Sequence, residues 1–219
     1  MKKQLEKREK HAMDNNKVSL IGQIVSEFHF SHEVYGEGFY TAKLSVKRLS
    51  GVIDTIPIMI SERLVEVSGD YREQYVYVTG QFRSFNCPKE QKRHLELFVF
   101  VRALEFLEGA DENCFENQIF LDGYICKNAF CRKTSQRREI ADVTVAVNRA
   151  YGKSDYIPCI VWGRNAQYAA SCEVGTHVQL WGRVQSRVYT KKKREIGAEQ
   201  HVAYEVSINK ISFPEKAVM

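Results

Sequence analysis

Four aromatic residues and a set of cations lie close together in the stretch from Ala141 to Tyr189. Tyr151, Tyr156, Trp162 and Tyr189 are spaced along it, with Arg149, Lys153, Arg164, Arg183 and Arg187 between them. A flat aromatic face lets any base stack on it, and a nearby cation neutralises phosphate. These residue types together are what a surface for single-stranded nucleic acid needs. Upstream, Lys127, Arg132, Lys133, Arg137 and Arg138 fall in a segment without an acid. Downstream, Lys191, Lys192, Lys193 and Arg194 form a basic run. Such a run serves equally as a solvated hairpin tip or as a phosphate contact. Trp181 alternates with Leu180 beside Gly182 and is read as structural.

The elements that must position these residues follow from periodicity. Ile140 to Asn148 and Asp155 to Trp162 alternate apolar and polar residues, as half-buried strands do. Arg164 to Ser171 has helical spacing, and His177 to Val188 is a further strand. The first half of the chain has the same order. Lys17 to Val25 is a strand interrupted by Gly22, which marks a bend. Ser26 to Gly38 is read as a polar loop with embedded aromatics. Phe39 to Lys47 and Val52 to Ile60 are strands about a Gly51 turn. Ser61 to Ser68 reads as a short helix with a Ser cap. Tyr75 to Arg83 and His94 to Arg102 close the set, with a polar turn at Asn86 to Arg93.

Five strands with a short helix between the third and fourth is the element order of the OB-fold, a Greek-key barrel. The order occurs twice. Ile56-Pro57 recurs as Ile157-Pro158, 101 residues on, and Gly22 recurs as Gly123 at the same interval. Gly80 recurs as Gly182, 102 residues on. One period at several landmarks indicates an internal repeat. The expected fold is all-β, two tandem OB-fold five-stranded Greek-key barrels, each with its short helix. The expected organisation is a polar N-terminal extension at 1–16, barrels at 17–104 and 118–213, an acidic linker at 105–117 and a short tail at 214–219.

A formal net charge of +5 permits a polyanion partner without requiring one. From Asp111 onward there are 16 Lys and Arg against 12 Asp and Glu, but before it 16 against 15, so most of the excess lies in the second half. The six cysteines form no CxxC pair, and no second ligand pair follows Cys126 and Cys131 at zinc spacing. They read as reduced thiols of a cytoplasmic protein. His29 and His32 lack a third metal ligand, so no metal or other cofactor is expected. No run is long and apolar enough for a membrane span, and the N-terminus has no apolar segment of the signal-peptide kind. Phosphate-loop, metalloprotease and nucleophile-elbow motifs are absent, so the chain reads as a non-enzyme.

Four segments of the second half resemble the bacterial single-stranded DNA-binding protein family (SSB). They are Ile119-Phe-Leu-Asp-Gly123, Ala141-Asp-Val-Thr-Val-Ala146, Tyr156-Ile-Pro-Cys-Ile-Val-Trp-Gly163 and Gly175-Thr-His-Val-Gln-Leu-Trp-Gly-Arg-Val-Gln-Ser-Arg187. The resemblance covers Gln118 to Phe213; the first half shares only the frame. It implies that Tyr151, Tyr156, Trp162 and Tyr189 are the base-stacking positions, with Tyr where Trp is more usual at three of them. It implies sequence-independent binding in replication, recombination or repair, near the nucleoid. It also implies a homodimer presenting four barrels. The typical member carries one barrel and a tail with an acidic tip that recruits other proteins. Here the sequence ends Phe213-Pro-Glu-Lys-Ala-Val-Met219, and that recruiting role is not expected.

The two copies differ where the chemistry lies. Tyr156 aligns with Thr55, Trp162 with Ser61 and Tyr189 with about Cys87, while no aromatic lies near Ser50 to Val52, opposite Tyr151. The loop at Ser26 to Gly38 holds Glu27, Glu33 and Glu37 and no cation. The expectation is that the second barrel binds the strand and the first serves assembly or a weak auxiliary contact. Two other readings remain open: a primosomal helper protein of the PriB type, and an OB-fold adaptor that binds protein. RNA rather than DNA as the ligand also stays open.

Overall fold

The computed structural model describes residues 15–89, 92–134, 136–193 and 197–214; side chains at 86–89, 92–94, 151, 191–193 and 197–199 fall outside that description. Residues 1–14 of the expected N-terminal extension, 90–91, Arg194 and 215–219 of the expected tail therefore lie outside the described residues. In the first half, β1 is Asn16–Ile24, β2 His29–Val34, β3 Glu37–Lys47, β4 Ile53–Ser61, β5 Tyr75–Lys89 and β6 Lys92–Phe106. In the second, β7 is Glu116–Ile125, β8 Phe130–Lys133, β9 Glu139–Asn148, β10 Ser154–Trp162, α1 Arg164–Ala170, β11 His177–Lys193 and β12 Gly197–Ser212. A single 3-10 turn at Ala150–Gly152 joins β9 to β10.

In each half the strand pairings return to their start. β1 pairs with β5, β5 with β6, β6 with β4 in parallel, β4 with β3, and β3 again with β1. β7, β11, β12, β10 and β9 repeat this ring, with β10 and β12 as the parallel pair. A strand that serves two partners must bend between them. β1 does so at Gly22, where a Cβ would stand 2.7 Å from the Ser45 carbonyl oxygen. At Gly123 of β7 a Cβ would press on the Ala146 carbonyl oxygen in the same way.

The halves form one continuous sheet. β1 and β7 pair antiparallel, Val18 opposite Ile119 and Leu20 opposite Asn117. Alternate residues of each strand point inward. Leu20, Leu44, Ile58 and Phe82 fill the first half, and Leu121, Val145, Ile157 and Leu180 fill the second, all fully buried.

Two matching clusters lock the halves beyond the shared sheet. Asp54 is fully buried and accepts Arg48 Nε at 2.6 Å and the Ser186 backbone N–H at 2.7 Å. Asp155, 101 residues later, accepts Arg149 Nε at 2.6 Å and the Ser84 backbone N–H at 2.6 Å. Each cluster joins the third major strand of one half to the hairpin of the other. A buried carboxylate needs its full set of partners, so the two halves are held in one register.

Two expectations about local structure change. The segment after β4 contains no helix: Leu64 N–H bonds to the Ser61 carbonyl at 3.0 Å in a turn, and the chain then bends without helical hydrogen bonds. Among the described residues α1 is the only α-helix. Its sequence Arg-Asn-Ala-Gln-Tyr-Ala-Ala is alanine-rich and buries Ala166 and Ala169. The first-half counterpart has two β-branched valines within three residues and then Gly69, a composition of lower helix propensity. Secondly, the loops read at Ser26 to Gly38 and Lys127 to Arg138 hold β2 and β8. Every residue of both strands is exposed, so neither carries the alternation that signals a strand.

Candidate nucleic-acid interface

Register determines which side chains share a face. Opposed residues point the same way, and buried and open residues alternate along each strand. On β11 and β12, Arg187 lies opposite Ala203 and Tyr189 opposite His201. On β12 and β10, Ser207 lies beside Ile160. On β10 and β9, Tyr156 lies opposite Ala146 and Trp162 opposite Ile140. Followed across the strands, Tyr156, Trp162, Arg183, Arg187 and Tyr189 all fall on the outer face of β11, β12 and β10. Phe130 and Arg132 continue it on β8, opposite Asp142 and Ile140.

The aromatics on this face are partly exposed, and each is anchored by a neighbour. Tyr156 is 45% exposed, and its backbone N–H donates to Ser84 Oγ of the first half at 2.8 Å. Trp162 is half-buried, with its indole Nε1 donating to Ser207 Oγ at 3.0 Å. Tyr189 is 39% exposed and stacks on His201 at 5.6 Å between centroids, with the Arg187 guanidinium 5.8 Å from its ring. Tyr151 lies in the 3-10 turn, and its side chain is outside those described.

The cations divide into engaged and open groups. Arg149 is committed to Asp155 and also donates to the Ser84 carbonyl at 2.8 Å. Arg132 pairs with Asp142 at 2.5 Å, and Arg187 reaches the buried carboxylate of Glu205 at 3.4 Å. Lys133 sits 3.9 Å from Glu139. Arg183 is half-buried and donates to Gln185 Oε1 at 3.3 Å; burial, with the nearby Arg48, lowers its pKa below the usual guanidinium value. A cation held in that setting is stabilised by an incoming anion. Lys127, Arg137, Arg138, Lys153 and Arg164 are exposed and have no carboxylate partner among the described residues. Lys191, Lys192 and Lys193 lie at the end of β11, with side chains outside those described, and Arg194 lies outside the described residues altogether.

Two residues on this face escaped the sequence reading. Phe130 is 65% exposed on β8, within a segment read only for its charges. His201 lies under Tyr189. An aromatic inside a basic loop was the available signal for Phe130; His201 had none, since only the β11–β12 register brings it to Tyr189. The aligned first-half positions are polar, as expected: Thr55 is exposed, and Ser61 is buried and donates to Glu37 Oε1 at 2.5 Å.

No helix among the described residues is long and apolar enough to cross a membrane. Among the described residues no cluster of His, Cys, Asp and Glu could hold a metal ion.

Comparison with known proteins agrees with this geometry. The model of the single-strand binding protein family matches residues 116–214. Single-stranded DNA-binding protein B of Bacillus subtilis is 34% identical over 84 residues, covering 35% of this chain and 74% of that protein. Single-stranded DNA-binding protein 3 of Streptococcus agalactiae is 31% identical over 84 residues, which span 61% of its length. The wild-type single-stranded DNA binding protein from Thermus aquaticus superposes with a TM-score of 0.71 at 18% identity, covering 93% of this chain and 95% of that one. The last likeness extends the shared fold over both halves. The chain belongs to the single-strand binding protein family, whose members are non-enzymatic DNA-binding proteins.

Proposed function

We propose that the chain folds as two tandem OB barrels and binds single-stranded DNA without sequence preference, mainly through the second barrel. The closed ring of pairings in each half supports the barrel reading. One observation carries the functional reading: Tyr156, Trp162, Arg187 and Tyr189 share a single outer face. Bases stack on the rings, and Arg183, Arg187, Lys153 and Arg164 contact phosphates, joined by the loop cations Lys127, Arg132, Lys133, Arg137 and Arg138. Tyr151, Lys191, Lys192, Lys193 and Arg194 belong to the same proposal. Arg149 is assigned to the seam instead, because its guanidinium already serves Asp155 and Ser84. The bound strand is shielded from re-annealing during replication, recombination or repair.

The test is anisotropy of labelled oligo-dT, oligo-dC and duplex of equal length. Comparable affinity for the two single strands, much weaker duplex binding and a fall with salt are expected. Equal or tighter binding of duplex would refute the reading.

The proposal includes a homodimer. The seam of β1 and β7 bears a cleft of about 420 Å³ lined by Lys17, Gln81, Arg102, Gln118, Phe120 and Trp181. Phe120 and Trp181, 5.1 Å apart between ring centroids, form an apolar patch in it that suits a second copy of this face. Light scattering should give twice the 25.3 kDa chain mass, and Trp181→Glu should halve it.

A further inference from the structure

A buried acid lies among the cations of the outer face. Glu205 of β12 alternates with Ala203 and Ser207 and stands opposite Gln185 of β11. It is 5% exposed. A carboxylate costs free energy to bury, and its charge repels the phosphates that the surrounding arginines attract. The barrel does not require it. Three residues after the irregularity at Gly182, Gln185 faces Glu205; three residues after the one at Gly80, Arg83 faces Phe98. The same place in the frame therefore holds an apolar ring in the first half.

The acid ends a chain of hydrogen bonds between two arginines. Arg183 Nη2 donates to Gln185 Oε1 at 3.3 Å, and Gln185 Nε2 donates to Glu205 Oε1 at 2.8 Å. Arg187 Nη2 donates to Glu205 Oε2 at 3.4 Å. An ionised carboxylate only accepts, so it turns the nitrogen of the Gln185 amide toward itself and the oxygen toward Arg183. Each oxygen of Glu205 thus serves a different arginine, one directly and one through the amide. Its charge also reaches Arg132 on β8, whose pKa is raised first by the bond to Asp142 and further by Glu205.

Arg187 is half-exposed, and its guanidinium lies 5.8 Å from the Tyr189 ring centroid. A free arginine side chain loses rotamer freedom when it takes up a ligand. One tethered through a single Nη has lost it already and keeps the other donors of its planar fork for a phosphate. The tether sets that fork beside a ring suited to stacking.

We propose that Glu205 is a positioning residue for the bound strand: it holds Arg187 beside Tyr189 and, through Gln185, aligns Arg183, so that phosphates meet arginines already in place. This rests on the reading of the second-half face as the single-strand site.

Full-length chains with Glu205→Gln, Arg187→Gln, both together, and Arg187→Lys are titrated with labelled oligo-dT over a range of salt. Glu205→Gln removes a negative charge at nearly constant bulk, so charge alone predicts tighter binding. Positioning predicts the reverse, a loss of about tenfold. The slope of log affinity against log salt should also become shallower by about 0.7. The double variant should lose far less than the product of the single losses, since both act at one guanidinium. Arg187→Lys leaves the buried acid in place and keeps the charge but not the fork, and should lose about threefold. Glu205→Gln binding as tightly as the unsubstituted chain or more tightly, or losses that multiply in the double variant, would overturn the inference. Full affinity of Arg187→Lys would overturn it too, and decides the matter should Glu205→Gln not fold. Failure of the unsubstituted chain to bind oligo-dT would instead overturn the reading of the face itself.

Discussion

The backbone N–H of Ser84 donates to Asp155 Oδ1 at 2.6 Å, and this bond ties the β5–β6 hairpin of one half to β10 of the other. Ser186 N–H makes the equivalent bond to Asp54 at 2.7 Å. Tyr156, the proposed stacking residue, follows Asp155 directly, so the seam that joins the halves also sets its position. Arg149 neutralises Asp155 there. Arg149→Ala leaves a buried carboxylate unpaired and should cost about 3–5 kcal/mol of stability. Lys153→Ala, at an exposed site, should stay within about 0.5 kcal/mol. Urea unfolding of both variants checks the contrast. Equal effects would remove Arg149 from the seam.

Tyr156→Ala and Trp162→Ala should each weaken oligo-dT binding by about 1–3 kcal/mol, the range found for base stacking in proteins of this kind. Trp162→Phe keeps a ring but loses the bond to Ser207 Oγ, so it should fall between Trp162→Ala and the unsubstituted chain. Titration calorimetry measures all three. Thr55→Ala, at the aligned first-half position, should bind as the unsubstituted chain does.

Thiol chemistry separates the cysteines. Cys159 is buried in the second-half core, and desolvation pushes its pKa well above the ordinary 9.0. Burial also raises Cys126 and Cys172, while Cys114 and Cys131 are exposed. A thiolate-directed reagent at neutral pH should modify Cys114 and Cys131 in the folded protein and reach Cys159 only on unfolding. The raised thiol keeps its proton in the folded state, so its contribution to stability is complete below the ordinary value. That contribution is lost as pH rises from about 9 toward the folded value. Denaturant midpoints should decline over that window, and Cys159→Ala should flatten the decline.

Gly182 tests the backbone. A Cβ there would meet the Ser207 carbonyl oxygen, a backbone atom that cannot swing aside. Gly182→Ala should therefore destabilise by about 1–3 kcal/mol in thermal unfolding. It should also weaken binding, because Ser207 anchors Trp162.

Much of this was legible in the sequence because it rests on periodic or repeated signals. The alternation from Ile140 to Trp162 located β9 and β10, and the paired glycines and Ile-Pro steps revealed the duplication. β2 was not legible: His29 to Val34 is exposed on both faces and shows no alternation. Its hairpin turn, with positive φ at Tyr35 and Gly36, reads like any polar loop. Arg149 looked like a phosphate contact because its partners, Asp155 and Ser84, meet it only across the folded seam.

The most direct test of the central claim uses Trp181→Phe, which leaves Trp162 as the sole indole. Its fluorescence is followed during titration with oligo-dT at low and at high salt. The account predicts strong, stoichiometric quenching that weakens as salt rises. Binding without quenching would place the strand away from Trp162, and no binding at low salt would contradict the single-strand function itself.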